Sequence, residues 1–349
     1  KIMRTTLAAL SVGCIAQTSC LQLKPSGSFR SSALAVNVHR FLSSSAPRRA
    51  IVHGCTRRPL SSRVWPNYFS SPFLNRDPTP LLDENALEAV LKKPETQFVL
   101  LWKGKNIFKP VEGKKSVEAV KYSYKDVAQY LDDKKSILIY LGKADERSYF
   151  AVDVSHRESL ADTQGVIFEQ LRNYAGLIAS DEDAGILAYA RGMTSWHRSQ
   201  RFCPSCGSGQ VLPARVGSVR ECAGCKRQTY PRIDPSMITL VTAQGGKYGL
   251  LGRKADWPPG RYSVLAGFVE MGESLEEAVV REVWEESGVE VRPDSIRYVS
   301  SQTWPFPRSL MVGFVAEAAE APGGGLPLVR PDALELEDAR WFSREEVLA

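Results

Sequence analysis

From Gly267 to Val289 the chain reads Gly-Phe-Val-Glu-Met-Gly-Glu-Ser-Leu-Glu-Glu-Ala-Val-Val-Arg-Glu-Val-Trp-Glu-Glu-Ser-Gly-Val. Ser274 and Glu277 have the spacing of a capping box, and Gly288 suits a left-handed C-cap. A helix is therefore expected over Leu275 to Ser287. Leu275, Ala278 and Val279 fall on its buried face, and the same stripe continues into Glu282, Glu285 and Glu286. Carboxylates that take over a buried stripe repel one another unless a cation lies among them. Hard oxygen ligands at this density suit Mg2+ or Mn2+, which share their coordination with phosphate groups. The plainer alternative is a solvated charge run at a helix end.

A second cluster is made of thiols. Cys203-Pro-Ser-Cys206 and Cys222-Ala-Gly-Cys225 form two Cys-x-x-Cys knuckles fifteen residues apart. Four thiolates at this spacing suit one tetrahedral Zn2+ with no coordination position left for water, which makes the site structural. Arg215, Arg220, Lys226 and Arg227 give the ribbon some positive charge, but no aromatic residues alternate with them. The ribbon reads as a clip between domains rather than a nucleic-acid surface.

The whole chain has 349 residues, 43% hydrophobic and 24% charged, enough for two or three domains with their own cores. No apolar run is long enough to span a membrane. The formal charge of +6 divides unevenly. Residues 1–76 hold 11 Lys and Arg and no acidic residue, leaving 34 basic against 39 acidic residues in the rest. A Ser- and Arg-rich head without acids is what organelle transit segments show, with the mitochondrion expected first and a plastid second. The apolar run Leu7 to Ala16 after Arg4 resembles a secretory core and favours the plastid alternative. The chain begins with Lys1 and its first methionine is Met3, so the start is expected at Met3 or upstream of this sequence.

The elements that must position these groups follow in order. Pro66 to Pro80 reads as a linker, and a domain is expected from Leu81. Phe98–Trp102, Ser136–Leu141 and Tyr149–Val154 read as strands, the last two as a hairpin. Val166–Leu177 and Asp183–His197 read as helices. His156 and His197 are isolated and read as ordinary hydrogen-bonded side chains. Met237–Ala243, Tyr248–Arg253, Arg261–Phe268, Ile296–Ser301 and Leu310–Glu317 read as strands, with a turn at Trp257–Gly260. Between the last two strands, Ser301-Gln-Thr-Trp-Pro-Phe-Pro-Arg-Ser309 reads as a rigid loop able to present Trp304 and Phe306 to an aromatic ring.

Several of these stretches resemble the Nudix hydrolase superfamily. The box of that superfamily is filled at Gly267, Glu273, Arg281, Glu282, Val283, Glu285, Glu286, Gly288 and Val289. The loop Ser301–Ser309 is similar to the Ser-Gln-Pro-Trp-Pro-Phe-Pro-x-Ser signature of one branch, the NADH pyrophosphatases (NAD(+) diphosphatases). Trp196-His197, Phe202-Cys203, the ribbon and Tyr230-Pro-Arg-Ile-Asp-Pro235 match that branch in order and spacing. The likeness runs from Leu81 to the end of the chain. Thr303 departs from it, standing where the branch usually has Pro. No glutamate near Gly217 matches a ribbon glutamate that touches substrate in some members. The branch's last helix lies beyond Ala349, so a shortened C-terminus is expected.

Behind the composition-read targeting segment over 1–76, the resemblance implies an α/β fold with three parts: an α+β N-terminal domain over 81–198, a zinc ribbon over 201–228 and a Nudix α/β/α sandwich with a mixed sheet over 230–349. It implies a homodimer that hydrolyses NADH or NAD+ to nicotinamide mononucleotide and AMP. The Mg2+ or Mn2+ ligands expected are the backbone oxygen of Ala266 and the carboxylates of Glu282, Glu285, Glu286 and Glu335, with Glu282, Glu285 and Glu286 as the catalytic set. Substrate contacts are implied at Tyr230, Gln302, Thr303, Trp304, Pro305, Phe306, Pro307, Arg308 and Ser309. Gly267, Glu273, Arg281 and Gly288 shape the box. NAD-capped RNA, NADPH, ADP-ribose and dinucleoside polyphosphates are alternative substrates. A non-enzymatic ribbon protein that binds nucleic acid is the rival from another class, opposed by the complete carboxylate set and the acidic body.

Overall fold

The computed structural model describes residues 20–22 and 67–348, except 159, 161–164 and 307. Most of the expected targeting segment lies outside the described residues, but residues 67–76 belong to the fold, so its expected end at residue 76 reaches too far. The chain divides into two units, one of residues 64–235 and 302–310, the other of residues 236–301 and 311–349 with the N-terminal stretch.

The first unit is built on a mixed sheet. Its elements are α1 (Glu84–Leu91), β1 (Gln97–Trp102), β2 (Lys105–Pro110), β3 (Val117–Ala119), α2 (Tyr124–Leu131), β4 (Ile137–Ala144), β5 (Arg147–Asp153), β6 (Ile167–Glu169) and α3 (Asp181–Ser199). The strand order is β3-β2-β1-β5-β4, with β6 added to β2. β1 and β5 run parallel, while β4 and β5 form the expected antiparallel hairpin. Phe98, Leu100, Ile107, Val127, Phe150 and Val152 make its core. The ribbon follows as β7 (Val211–Ala214), β8 (Val219–Cys222) and β9 (Gln228–Thr229).

Two expectations fail here. Residues 166–177 form β6 and a 3-10 turn, Leu171–Tyr174, instead of a helix. The run Val166-Ile-Phe168 has strand chemistry, and it finds an unpaired edge on β2. Residues 67–80 are packed rather than a linker, with Phe69, Ser71 and Leu74 buried and Asn75 bridged to Lys143. Their turn-rich composition describes the path of the backbone and is silent about what it packs on.

The second unit carries β10 (Asp234–Ala243), β11 (Tyr248–Arg253), β12 (Arg261–Ser263), β13 (Leu265–Phe268), α4 (Leu275–Ser287), β14 (Arg297–Trp304), β15 (Ser309–Glu317), β16 (Asp338–Ser343) and α5 (Arg344–Leu348). β12, β11, β10, β15 and β14 neighbour one another in that order. β13 pairs antiparallel with β10, and β16 with β11. The backbone of Cys20–Gln22 pairs with β12. Ile238, Leu240, Leu251, Val264, Val315 and Phe342 form the core. β14 runs further than expected, to Trp304. Thr303 and Trp304 have strand propensity, so the connection before β15 shrinks to residues 305–308.

Candidate active site

Helix α4 begins and ends where its sequence says it should. The Ser274 hydroxyl accepts from the Glu277 amide at 3.2 Å, Glu277 accepts from the Ser274 amide at 2.8 Å, and Gly288 closes the helix at φ 68°. Ala278, Val279 and Val283 are fully buried. This anchorage fixes the faces on which the later carboxylates project.

Arg281 organises those carboxylates. Its guanidinium grips Glu273 with two bonds, Nε to Oε1 at 2.7 Å and Nη2 to Oε2 at 2.8 Å. It also donates to the Phe268 carbonyl and, through Nη1, reaches Glu285 at 2.9 Å and Glu282 at 3.1 Å. The two-bonded pair is the strong geometry for Arg and carboxylate, and it holds the Glu273 carboxyl below the usual range. Glu282 lies over Gly267 so closely that a Cβ there would fall 1.9 Å from its carboxyl carbon. Only glycine fits.

Glu286 is the deepest member, 3% exposed, and its Oε2 makes no hydrogen bond among the described residues. Burial first, then the charges of Glu282 and Glu335, push its carboxyl up to about 8; the Ala266 amide and Lys254 act the other way. Burial likewise raises Glu282, against the pull of Arg281. Ala266, Glu282, Glu286 and Glu335 thus form one neighbourhood, while Glu285 is its outer member, held by Arg281. The carboxylates do not converge as the ribbon sulfurs do, because like charges part and Arg281 draws two of them aside. A buried, unpartnered oxygen among oxygen donors is a surrounding that a hard divalent cation fits.

The four thiols do converge. Their sulfurs all lie within 4.8 Å of one another, with Cys203 to Cys225 at 3.6 Å and Cys206 to Cys222 at 3.5 Å. Zinc–sulfur bonds of about 2.3 Å place tetrahedral sulfurs about 3.8 Å apart, so the set fits one zinc ion. Amides of Cys206 and Ser205 point at Cys203 and bring its thiol down to about 6, favouring thiolate. The nearby His197 is 2% exposed, and its Nε2–H donates to the Gly217 carbonyl at 2.8 Å. Its Nδ1 accepts from Arg220 at 3.1 Å, so the ring is neutral, with burial taking its pKa down to about 4. His156 meets Asp133 at 2.8 Å. Both histidines are hydrogen-bonded side chains, as expected.

The aromatic loop belongs to the first unit. Gln302 and Pro305 are buried, and Trp304 stands edge-on to Phe306 with ring centres 5.8 Å apart. The Trp304 indole N–H makes no hydrogen bond among the described residues. Arg308 donates to the Ser199 hydroxyl at 2.7 Å, and its carbonyl accepts from the Asp234 amide. Pro307 lies outside the described residues. Tyr230 is 64% exposed, a ring with little core to fill.

Sequence reasoning passed over two residues beside the carboxylates. Phe268 ends β13 with its ring 60% exposed, directly after Gly267; an apolar ring inside the box was the available signal. Lys254 lowers Glu286 from across the sheet, and no local pattern marks it.

Known proteins give this arrangement its class. Residues 233–349 match the NUDIX domain, and residues 95–196 match the NADH pyrophosphatase-like rudimentary NUDIX domain. The NAD-capped RNA hydrolase NUDT12 of Macaca fascicularis is 34% identical over 81% of this chain and 67% of its own length. Nudix hydrolase 19, chloroplastic, of Arabidopsis thaliana is 38% identical over 62% of this chain and 51% of its own. The NAD-capped RNA hydrolase NudC of Stutzerimonas stutzeri is 46% identical over 52% of this chain and 62% of its own. The chain belongs to the Nudix hydrolase family, in the branch that carries a rudimentary Nudix domain ahead of the complete one.

Proposed function

We propose that this enzyme hydrolyses the pyrophosphate bond of NADH or NAD+ to nicotinamide mononucleotide and AMP. The observation that carries the reading is Glu286, a buried carboxylate with a spare oxygen beside Glu282 and Glu335. Its likeness to relatives named as NAD-capped RNA hydrolases points to an NAD moiety as the group recognised. The same chemistry on an NAD cap of RNA is the second reading, favoured by those names.

Ala266, Glu282, Glu286 and Glu335, with Glu285 at the edge, would hold Mg2+ or Mn2+. When bound, such ions withdraw charge from the pyrophosphate and acidify a water. Water oxygen forms the new bond to phosphorus as the bridging oxygen leaves on the other phosphate. Glu286 or a neighbouring carboxylate of the box is placed to take the proton released. Arg281 fixes the box through Glu273. Tyr230 and Trp304 offer exposed or half-exposed rings for a base or nicotinamide. Zn2+ at the four thiols would serve the ribbon alone.

A homodimer and organelle import belong to the same proposal. Phe202, Leu212, Tyr230 and Ile233 are each at least 60% exposed, apolar surface that suits a second copy. The acid-free head supports a mitochondrion first and a plastid second, and one relative is named chloroplastic. Light scattering tests the dimer, and a fluorescent fusion of the head tests import. The activity is tested by comparing kcat/KM for NADH, NADPH, ADP-ribose and NAD-capped RNA with Mg2+. Preference for ADP-ribose over both NAD substrates would refute the proposal. Tight, salt-sensitive RNA binding without any hydrolysis would favour the non-enzymatic rival.

A further inference from the structure

Thr303 and Trp304 end β14, which neighbours β15 in the sheet, and the turn at residues 305–308 follows. A cavity of 360 Å³ lies between Thr303–Pro305, helix α3 and residues 69–71, so packing beneath the loop is incomplete. Besides the sheet, two contacts of this segment end on one residue, Phe69. The Thr303 hydroxyl donates to the Phe69 carbonyl at 3.0 Å. The Phe306 ring meets the Phe69 ring edge-on, centres 5.4 Å apart at 85°. Phe69 itself is 4% exposed.

The segment around Phe69 is held firmly enough to act as an anchor. The Tyr68 hydroxyl accepts from the Ile178 amide at 2.9 Å and donates to the Ile178 carbonyl at 3.3 Å. The Ser70 carbonyl sits on Gly185 of α3, where any Cβ would come within 2.2 Å of it. Ser71 is buried and accepts from Arg76, whose guanidinium lies 4.1 Å from the centre of the Tyr189 ring. Every one of these partners belongs to the same unit as the loop.

We propose that residues Tyr68 to Ser71 are a strap that sets the position of the aromatic loop, with Phe69, Thr303 and Phe306 as its positioning residues. Phe306 is then occupied in holding the loop, and Trp304 is the ring left to meet substrate. The inference rests on the loop's proposed role in binding the dinucleotide.

The test uses the full chain. Thr303→Val keeps the shape and removes the donor, Thr303→Ser restores it, and Phe69→Leu removes the ring contact. Losing one hydrogen bond of this kind should raise KM for NADH by roughly threefold to tenfold while kcat changes less than about twofold. Thr303→Ser should return KM to near the wild-type value. Hydrogen exchange, which needs no substrate, should quicken at residues 302–306 by a similar factor in Thr303→Val and Phe69→Leu, and stay unchanged across α4. Unchanged exchange and unchanged KM in both variants would overturn the strap. Faster exchange in a chain inert toward NADH would uphold the strap and reject the substrate reading instead.

Discussion

Helices α3 and α4 belong to the rudimentary and the complete Nudix domain; α3 gathers its acid at one end, while α4 carries acid at both. In α3 the acidic residues are Asp181, Glu182 and Asp183 in the first turn, and the last turn holds His197 and Arg198. Both ends suit the helix dipole. Its interior buries Ile186, Leu187, Ala190, Met193 and Trp196. In α4 the first turn is acidic too, with Glu276 and Glu277, but Glu282, Glu285 and Glu286 stand in the second half with no base in the last turn, where a charged Glu285 or Glu286 is disfavoured by about 0.3–1 kcal/mol. α3 is arranged for stability. α4 gives stability up to gather negative charge, and Arg281 is what makes that tolerable. The two helices show the same family of fold kept once as scaffold and once as chemistry.

The comparison breaks most sharply at Glu286. Glu286→Gln should lower turnover by roughly a thousandfold or more while the thermal midpoint of the metal-free protein holds or rises. A fall in stability with turnover intact would make α4 a scaffold like α3. Gly267→Ala should cost about a hundredfold in turnover with circular dichroism unchanged, because the new Cβ must displace Glu282. On α3 the corresponding damage is structural. Gly185→Ala pushes on the Ser70 carbonyl and should lower unfolding free energy by about 1–3 kcal/mol in denaturant titrations.

His197 sharpens the contrast through pH. Its folded pKa of about 4 lies below the 6.5 of an unburied imidazole, so the unfolded chain takes the proton first as pH falls. Its contribution is complete above pH 6.5 and is lost between there and about pH 4. His197→Gln should flatten the loss of thermal midpoint across that window, and an unaltered slope would show that the ring titrates freely. The smallest effect is expected one turn earlier. At Gly192 a Cβ meets only Pro305 at 3.8 Å, so Gly192→Ala should raise stability by about 0.5–1 kcal/mol.

What could be read in advance was local. The capping box, the left-handed Gly288 and the knuckles of the ribbon are each decided within a few residues, and the structure has them as expected. The strap escaped because Tyr68 bonds to a partner 110 residues away and Phe69 to one 234 away. A stretch of Ser, Pro and Asn looks like a linker until those partners are known. Residues 166–177 were misread because their strand pairs with β2, distant in sequence. The placement of Glu335 beside Glu286 depended on resemblance, since nothing around residue 335 marks a ligand. Phe268 was legible in principle, as an apolar ring that no buried stripe claims.

The most direct test is to incubate the full chain with NADH and Mg2+ and weigh the products, with Glu286→Gln in parallel. The account predicts AMP and reduced nicotinamide mononucleotide from the parent and almost none from a variant that is equally folded. Equal product from both would contradict it, because the buried carboxylate of α4 would then have no part in the chemistry.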